Sequence, residues 1–200
     1  MHVKATIALL LFSLVPARAD VSMNPQNAPK GIYVVDTKHT SAMFCIRHFG
    51  ISNYCGRFGG ATGKIVFNGS QPEKSSASIV IAVAGVDTPS AALNDELRRN
   101  FFEVDRFPKA TFASKSISLT SKSTADITGD LTLHGVTRSV TLHTTFNGGL
   151  PHPLNNGYAL GFSANASLNI ADFGFPDVDW KTFVADDVSL SIEAEFIAEK

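Results

Sequence analysis

The most constraining feature of this sequence is the stretch from Asp126 to Phe146, which alternates apolar and polar residues on both sides of a short turn. Every second residue falls on a common face: Ile127, Gly129, Leu131 and Leu133 before the turn, and Val140, Leu142, Thr144 and Phe146 after it. A period of two residues is typical of antiparallel strands with one face on a core and one in water. The stretch therefore predicts a half-buried β-hairpin around the turn His134-Gly135-Val136-Thr137.

The same alternation recurs along most of the chain and predicts an all-β fold. The strand-like segments are 31–36, 42–48, 53–67 with an interruption at Gly59-Gly60, 77–84, 110–116, 125–133, 138–146, 158–170 and 188–194. Pro89–Asn100 differs because it lacks β-branched residues and is rich in helix formers, with Ser90 as the expected N-cap. We expect an antiparallel barrel of about eight strands with one inserted helix, wide enough to hold one ligand. The apolar residues after the helix, Phe101-Phe102 and Phe107-Pro108, are expected to cover one end of the barrel.

The inward-facing positions of this barrel predict either an apolar tunnel or a self-filled interior. Several are small, which would leave room: Ala77, Ala110, Gly129, Ala164, Ala166 and Ala194. The predicted ligand-contacting residues are Phe44, Ile46, His48, Phe58, Phe67, Ile79, Ile81, Phe112, Gly129, Leu131, Phe146, Phe162, Ala164, Ala166 and Leu190. The alternative is that large and small side chains interdigitate and fill the barrel, as they do in many small barrels.

Few polar residues are candidates for contacting a ligand head group. Arg98, Arg99 and Arg106 flank the predicted helix and could bind a phosphate, or they could belong to a solvated helix face. His48 is predicted to face inward among apolar neighbours. It is either a core histidine with a hydrogen-bond partner or a polar contact for a ligand oxygen.

The N-terminal residues predict export. Ala5–Val15 is an apolar run behind Lys4, and Ala17-Arg18-Ala19 matches a signal-peptidase site, so residues 1–19 are interpreted as a signal peptide. Residues 20–30 are then a flexible lead-in to a single domain, residues 31–198, in the periplasm. Removing Lys4 and Arg18 from the 17 basic residues leaves 15 against 18 acidic ones, a net charge of −3 that does not favour nucleic-acid binding.

The two cysteines, Cys45 and Cys55, would face the same outer surface if 42–48 and 53–60 pair as a hairpin centred near Gly50. In an oxidising compartment a cross-strand disulfide is then one outcome, and free thiols are the other. A zinc site is not expected because no third and fourth ligand follow at usable spacing.

Short motifs along the chain, taken together, resemble the YceI-like family. The residues that carry the resemblance are Tyr33-x-x-Asp36-x-x-His39-x-Ser41, Phe44-x-Ile46-x-His48-x-Gly50, Gly56-x-Phe58, Val86-Asp87-Thr88, Phe101-Phe102-Glu103-Val104, Phe107-Pro108-x-Ala110-Thr111-Phe112, Gly129–Thr137 and Asp172-Phe173-Gly174. Members often carry Asp-x-His-Leu before the double aromatic segment, whereas this chain has Asn94-Asp95-Glu96-Leu97.

The resemblance implies a lipocalin-like extended barrel of eight antiparallel strands with a helix. Some members of this family bind a polyisoprenoid chain in an apolar tunnel, and many are periplasmic. The implied function is to carry or store an isoprenoid-type lipid, polyprenyl or quinone-like, with transient contact to a membrane or membrane protein.

Enzymatic activity is not expected from the motifs. The chain has no G-x-S-x-G elbow, no Gly-rich phosphate loop and no cofactor signature. Two alternatives to a lipid carrier stay open: a stress-protection or interaction module with a packed barrel, and a hydrolase whose residues meet only in the fold.

Overall fold

The structure is a computed structural model that describes residues 20–154 and 157–199. The predicted signal peptide, residues 1–19, lies outside the described residues. The strands are β1 Gly31–Val35, β2 Ser41–His48, β3 Ser52–Phe58, β4 Ala61–Phe67, β5 Ser76–Ala82, β6 Val86–Asp87, β7 Lys109–Leu119, β8 Thr124–Leu133, β9 Val136–Pro151, β10 Tyr158–Asn169 and β11 Val184–Ala198.

Eight of these strands form a closed antiparallel ring in the order β1-β4-β5-β7-β8-β9-β10-β11. The ring closes where Tyr33 and Val35 of β1 pair with Ala198 and Phe196 of β11. The remaining strands extend from β11 as β2-β3-β6, because β11 is long enough to pair with β1 near its end and with β2 over its first two thirds. The prediction of an all-β antiparallel barrel of about eight strands is confirmed.

The predicted hairpin at the centre of the sequence is β8 and β9. Its strands pair from Thr124 opposite Thr145 to Leu133 opposite Val136, which leaves a two-residue turn. His134 and Gly135 occupy that turn with φ of 50° and 75°. Positive φ at both central residues suits the right-handed twist of the flanking strands.

The inserted helix is shorter than predicted and changes its winding. Helix α1 spans Ala91–Glu96, and a π-helical turn, Leu97–Phe101, continues it. Ser90 is the N-cap, and its hydroxyl accepts a hydrogen bond from the Leu93 N–H at 3.2 Å. The helical segment packs beside β6, and its π-helical turn carries Leu97 and Phe101 into a buried cluster with Val86.

The interruption predicted at Gly59-Gly60 divides the segment 53–67 into two strands, since β3 pairs with β2 and β6 whereas β4 pairs with β1 and β5. Gly60, with φ of 76°, lies at the corner between them. The lead-in 20–30 is attached to the barrel: Ser22 exchanges two backbone hydrogen bonds with Gly149. The Tyr33 hydroxyl donates to the Pro29 carbonyl at 2.7 Å, and burial raises the pKa of Tyr33 to about 12.

A disulfide joins Cys45 and Cys55, with an S–S distance of 1.98 Å and a Cα–Cα distance of 4.1 Å. The two residues are directly opposite each other in β2 and β3. They face outward, because Phe44 and Ile46 on either side of Cys45 line the interior. Of the two outcomes left open by the sequence, the structure shows the bridge, and it fastens the part of the sheet that lies outside the closed ring.

Removing this bridge is expected to cost about 2–3 kcal/mol of unfolding free energy, since it closes a short loop of about ten residues in the unfolded chain. The measurement is urea unfolding of the Cys45→Ala/Cys55→Ala double variant against the oxidised wild type. Dithiothreitol should lower the wild-type midpoint by a similar amount and leave the double variant unchanged. An unaltered midpoint in both comparisons would contradict a stabilising role.

Candidate functional site

The barrel encloses a cavity of about 560 Å³ that runs among the inward faces of its strands. All but two of the predicted ligand-contacting residues line this cavity. Those that line it are Phe44, Ile46, His48, Phe58, Phe67, Ile79, Ile81, Phe112, Leu131, Phe146, Phe162, Ala164 and Leu190. The buried apolar residues fall into three separate clusters around it. The interior is therefore hollow, and large and small side chains do not fill it.

Small side chains leave this space open. Ala77, Ala110, Ala164 and Ala194 line the cavity, as predicted. They face the cavity because each lies an even number of residues from larger lining residues on its own strand, and so on the same face. Ala164, for example, shares a face of β10 with Phe162 and Leu168. Strand periodicity is therefore enough to place them.

Gly129 and Ala166 were expected to line the cavity and do not. An added Cβ at Gly129 would lie 2.6 Å from Cζ of Phe112 and 2.5 Å from the Ala113 carbonyl oxygen, so the Phe112 ring covers this position. Ala166 is buried in a packed cluster with Leu168 and Phe173. Both residues face inward, but neighbouring side chains occupy the space in front of them.

Aromatic rings form the wall near each end of the cavity. Near one end Phe146 lies 6.1 Å from Phe67 and 5.4 Å from Phe162, between ring centroids. Near the other, the Phe101 ring stacks on Phe175 at 4.3 Å and lies 5.0 Å from Trp180.

The second aromatic group comes from segments without strand periodicity. Phe101 and Phe102 follow α1 and cover this end, as the sequence predicted. Phe175, Trp180 and Phe183 were not predicted to line the cavity. The last two belong to a 3₁₀ helix, Asp179–Phe183, whose sequence gives no alternating signal. The one sequence signal that this segment contributes to the cavity was the presence of the single tryptophan, Trp180.

The cavity lining includes surface residues at two places that lie far apart along the barrel, which we name the His48 end and the Lys122 end. The His48 end is lined by His48, Tyr54, Phe183 and Val184. The Lys122 end is lined by Pro72, Leu119, Lys122 and Ser123. The strand register shows that these two ends lie far apart along the barrel. His48 pairs with Val184 at the start of β11. The turn that contains Lys122 lies next to Thr145 of β9, and across β10 this position is level with Glu193, nine residues further along β11.

Polar groups on the wall are sparse. Lys122 is the one charged side chain among the lining residues that the structure describes. Within the same described part of the chain, the Trp180 indole nitrogen is buried without a hydrogen-bond partner. A buried donor left without an acceptor is unfavourable.

His48 lies on the wall at the end that bears its name. Its ring contacts Phe49 at 4.4 Å and Tyr54 at 6.2 Å, between centroids. The alternative of a core histidine held by a hydrogen bond is not what the structure shows, since no described residue bonds to its ring nitrogens. Both nitrogens are therefore left for solvent or a ligand.

The three arginines proposed for a head group lie away from the cavity. Arg98 donates to the carbonyl oxygens of Ala84 and Val86, each at 2.9 Å, and so holds the helical segment on the barrel. Arg99 is exposed and lies 3.6 Å from Asp95. None of them lines the cavity, because each points outward from the helix or from the loop after it.

Arg106 belongs to a separate polar contact that fixes the loop after the helix. Its guanidinium hydrogen-bonds to Glu103, and with His134 it holds the pKa of the Glu103 carboxyl below its usual value. The His134 ring, buried at the β8–β9 turn, lies 2.9 Å from Glu103 through Nε2 and contacts Phe107 and Phe175. This contact holds the loop against the turn and lies outside the cavity.

One group of possible metal ligands occurs in the described residues, although the sequence predicted no metal site. The ligand atoms of Asp36, His39 and Glu195 lie within 4.8 Å of one another. His39 Nδ1 is 2.9 Å from Asp36, and this hydrogen bond raises the pKa of His39 and lowers the pKa of Asp36. The group is on the outer wall, and its internal pairing already accounts for its geometry.

Among the described residues, no helix has the length and hydropathy needed to span a bilayer.

A closed antiparallel barrel around a continuous apolar cavity defines the lipocalin-like fold class. The YceI-like domain model matches residues 33–196, and the chain belongs to the YceI-like family. A UPF0312 protein of Pseudomonas syringae pv. tomato is 37% identical over 145 residues, covering 71% of this chain and 75% of that protein.

Two solved structures share the fold. The YceI protein of Campylobacter jejuni is 27% identical, with a TM-score of 0.68 over 78% of this chain and 91% of its own. A polyisoprenoid binding domain from Saccharophagus degradans is 15% identical, with a TM-score of 0.60 over 86% of this chain and 100% of its own. Family and fold therefore agree with the YceI-like, lipocalin-like barrel expected from the sequence.

Proposed function

We propose that this protein binds a long-chain isoprenoid-type lipid in its barrel and carries or stores it in the periplasm. The observation that carries the proposal is the continuous cavity of about 560 Å³ with an almost wholly apolar wall. Ligand pockets in proteins measure roughly 300–1,000 Å³, so the cavity is large enough for much of a lipid chain.

The driving force for such a ligand is burial of hydrocarbon. Each buried methylene contributes about 0.8 kcal/mol, so a prenyl chain would gain a large gross free energy from a wall of phenylalanine, leucine and isoleucine. Ordering the chain offsets part of that gain. The fold supports the isoprenoid class, because a polyisoprenoid binding domain of another organism has the same architecture.

The described wall carries one charged side chain, Lys122, which is little for a diphosphate, and this scarcity of charge favours a neutral head group. A diphosphate is best held by arginine side chains or helix N-termini, and the lining residues described by the structure include no arginine. His48 lines the aromatic end of the cavity, and its ring nitrogens have no partner among the described residues. A quinone or polyprenol oxygen suits a ring N–H donor of this kind.

The two alternatives are less well supported. A packed interaction module is disfavoured by the hollow interior. A hydrolase needs a nucleophile beside a base, and in the described residues no serine or threonine hydroxyl is hydrogen-bonded to a histidine. The histidines that pair with carboxylates in that part of the chain, His39, His134 and His143, lie outside the cavity lining.

The disulfide supports the proposed compartment. Disulfides form and persist in oxidising environments such as the periplasm, and the bridge between Cys45 and Cys55 is independent of the predicted signal peptide.

Mass spectrometry of organic extracts from the purified protein tests the proposal. We expect an isoprenoid-type lipid at close to one molecule per chain, and its replacement by added prenyl compounds after delipidation. The Ala164→Trp variant, prepared in parallel, separates bound lipid from lipid that merely co-purifies. Extracts without such lipid, together with no uptake of ubiquinone or polyprenol, would falsify the carrier function.

A further inference from the structure

Three exposed apolar side chains surround the His48 end of the cavity, and we name them the apolar lip. Ile51 is 82% exposed, Phe49 58% and Phe183 47%. Phe49 and Ile51 flank the tip of the β2–β3 hairpin, and Phe183 ends the 3₁₀ helix before β11. Large apolar groups clustered at the surface usually mark an interaction site.

A backbone hydrogen bond and a ring contact hold two residues of the lip together. The Phe49 N–H donates to the Phe183 carbonyl oxygen at 2.8 Å, and the two rings lie 5.0 Å apart. Phe49 has a φ of 49°, a left-handed conformation that is unfavourable for a bulky residue. Folding therefore holds an aromatic side chain outward at some cost in backbone energy, and neighbouring side chains do not bury it.

The lip is continuous with the cavity wall. Phe183 belongs to both, and His48, which lines the cavity, directly precedes Phe49. An apolar chain leaving the cavity here would meet apolar surface before it met water. The Lys122 end differs, because its exposed Leu119 is followed by Thr120, Ser121, Lys122 and Ser123.

The part of the lip that would enter a bilayer carries no acidic side chain. The hairpin tip, residues 47–53, contains Arg47 beside Phe49 and Ile51 and has no carboxylate. The neighbouring segment 177–187 carries four aspartates against Lys181, which lies 4.0 Å from Asp186, so the hairpin tip and not that segment suits an anionic surface. Apolar side chains beside a cation suit insertion into the interface of a membrane.

We propose that the apolar lip docks on a lipid bilayer and opens the His48 end of the cavity to it. The proposal rests on the proposed function, since a ligand with a long hydrocarbon chain must pass between membrane and barrel without crossing water. Docking lets Ile51 and Phe49 enter the interface while the ligand moves past Phe183.

Flotation with vesicles of phosphatidylethanolamine and phosphatidylglycerol tests the proposal. We expect the wild type to float with the vesicles and the Ile51→Asp variant to lose at least about tenfold in partitioning, because a charge replaces the most exposed apolar group of the lip. Leu154→Asp is the matched control: Leu154 is 88% exposed in the β9–β10 loop, away from the lip, and its replacement should not change flotation.

Lipid content measured on the same samples separates this proposal from the proposed function. Ile51→Asp should retain bound lipid but exchange it with vesicles at least about tenfold more slowly. Wild-type protein that carries lipid but never floats with the vesicles would overturn membrane docking and leave the proposed function standing. Equal losses of vesicle partitioning in Ile51→Asp and Leu154→Asp would also overturn docking by the lip. Self-association that depends on Ile51, without flotation, would assign the lip to a second copy of the chain instead.

Discussion

Replacing Ala164 with tryptophan is expected to abolish lipid binding while the barrel stays folded. Ala164 is buried on the cavity wall, where the indole would occupy the space of the ligand. Because that space is empty of protein, the substitution should cost no more than about 1–3 kcal/mol of unfolding free energy. Lipid content by mass spectrometry and thermal unfolding by circular dichroism measure the two effects.

Ala166→Trp is the matched comparison, two residues further along the same face of β10. Its side chain would enter the packed cluster of Leu168 and Phe173, so it should lower stability more than Ala164→Trp does. If Ala164→Trp binds lipid as the wild type does, the cavity identified here is not the binding site.

Gly129→Leu is expected to destabilise the barrel severely, by about 3 kcal/mol or more, although the sequence predicted that Gly129 contacts the ligand. A Cβ at this position would lie 2.5 Å from the Ala113 carbonyl oxygen, which is backbone and cannot move without disturbing the pairing of β7 with β8.

Chemical denaturation of Gly129→Leu measures this effect, and Gly50→Ala is a useful comparison because a Cβ at Gly50 would meet no atom within 4 Å. Gly50 has a φ of 68°, so its replacement carries only a backbone cost. A Gly129→Leu variant as stable as the wild type would contradict the packing described for Phe112.

Strand periodicity was sufficient to predict which side chains face inward. Phe44, Ile46 and His48 alternate with outward residues over one strand, and this local signal survives in any sheet. The disulfide depended on the same alternation, which put Cys45 and Cys55 on one surface.

The side chain or backbone group that contacts a given residue in the fold comes from elsewhere in the chain, so the sequence pattern could not predict it. Phe112 pairs with Leu131, yet its ring leans over Gly129 two residues away. Arg98 looked available for an anion because nothing in the sequence shows that the carbonyl groups of Ala84 and Val86 occupy it. Trp180 and Phe183 were missed because a 3₁₀ helix of five residues has no periodic signature.

The hollow between the three buried clusters has a thermodynamic consequence. Whatever occupies it completes the core, so occupancy and folding are linked equilibria, and the occupant stabilises the native state according to its concentration and affinity. Preparations that differ in lipid load will therefore melt at different temperatures although their sequence is identical. Melting temperatures of variants can be compared only after the fraction of filled barrels has been matched.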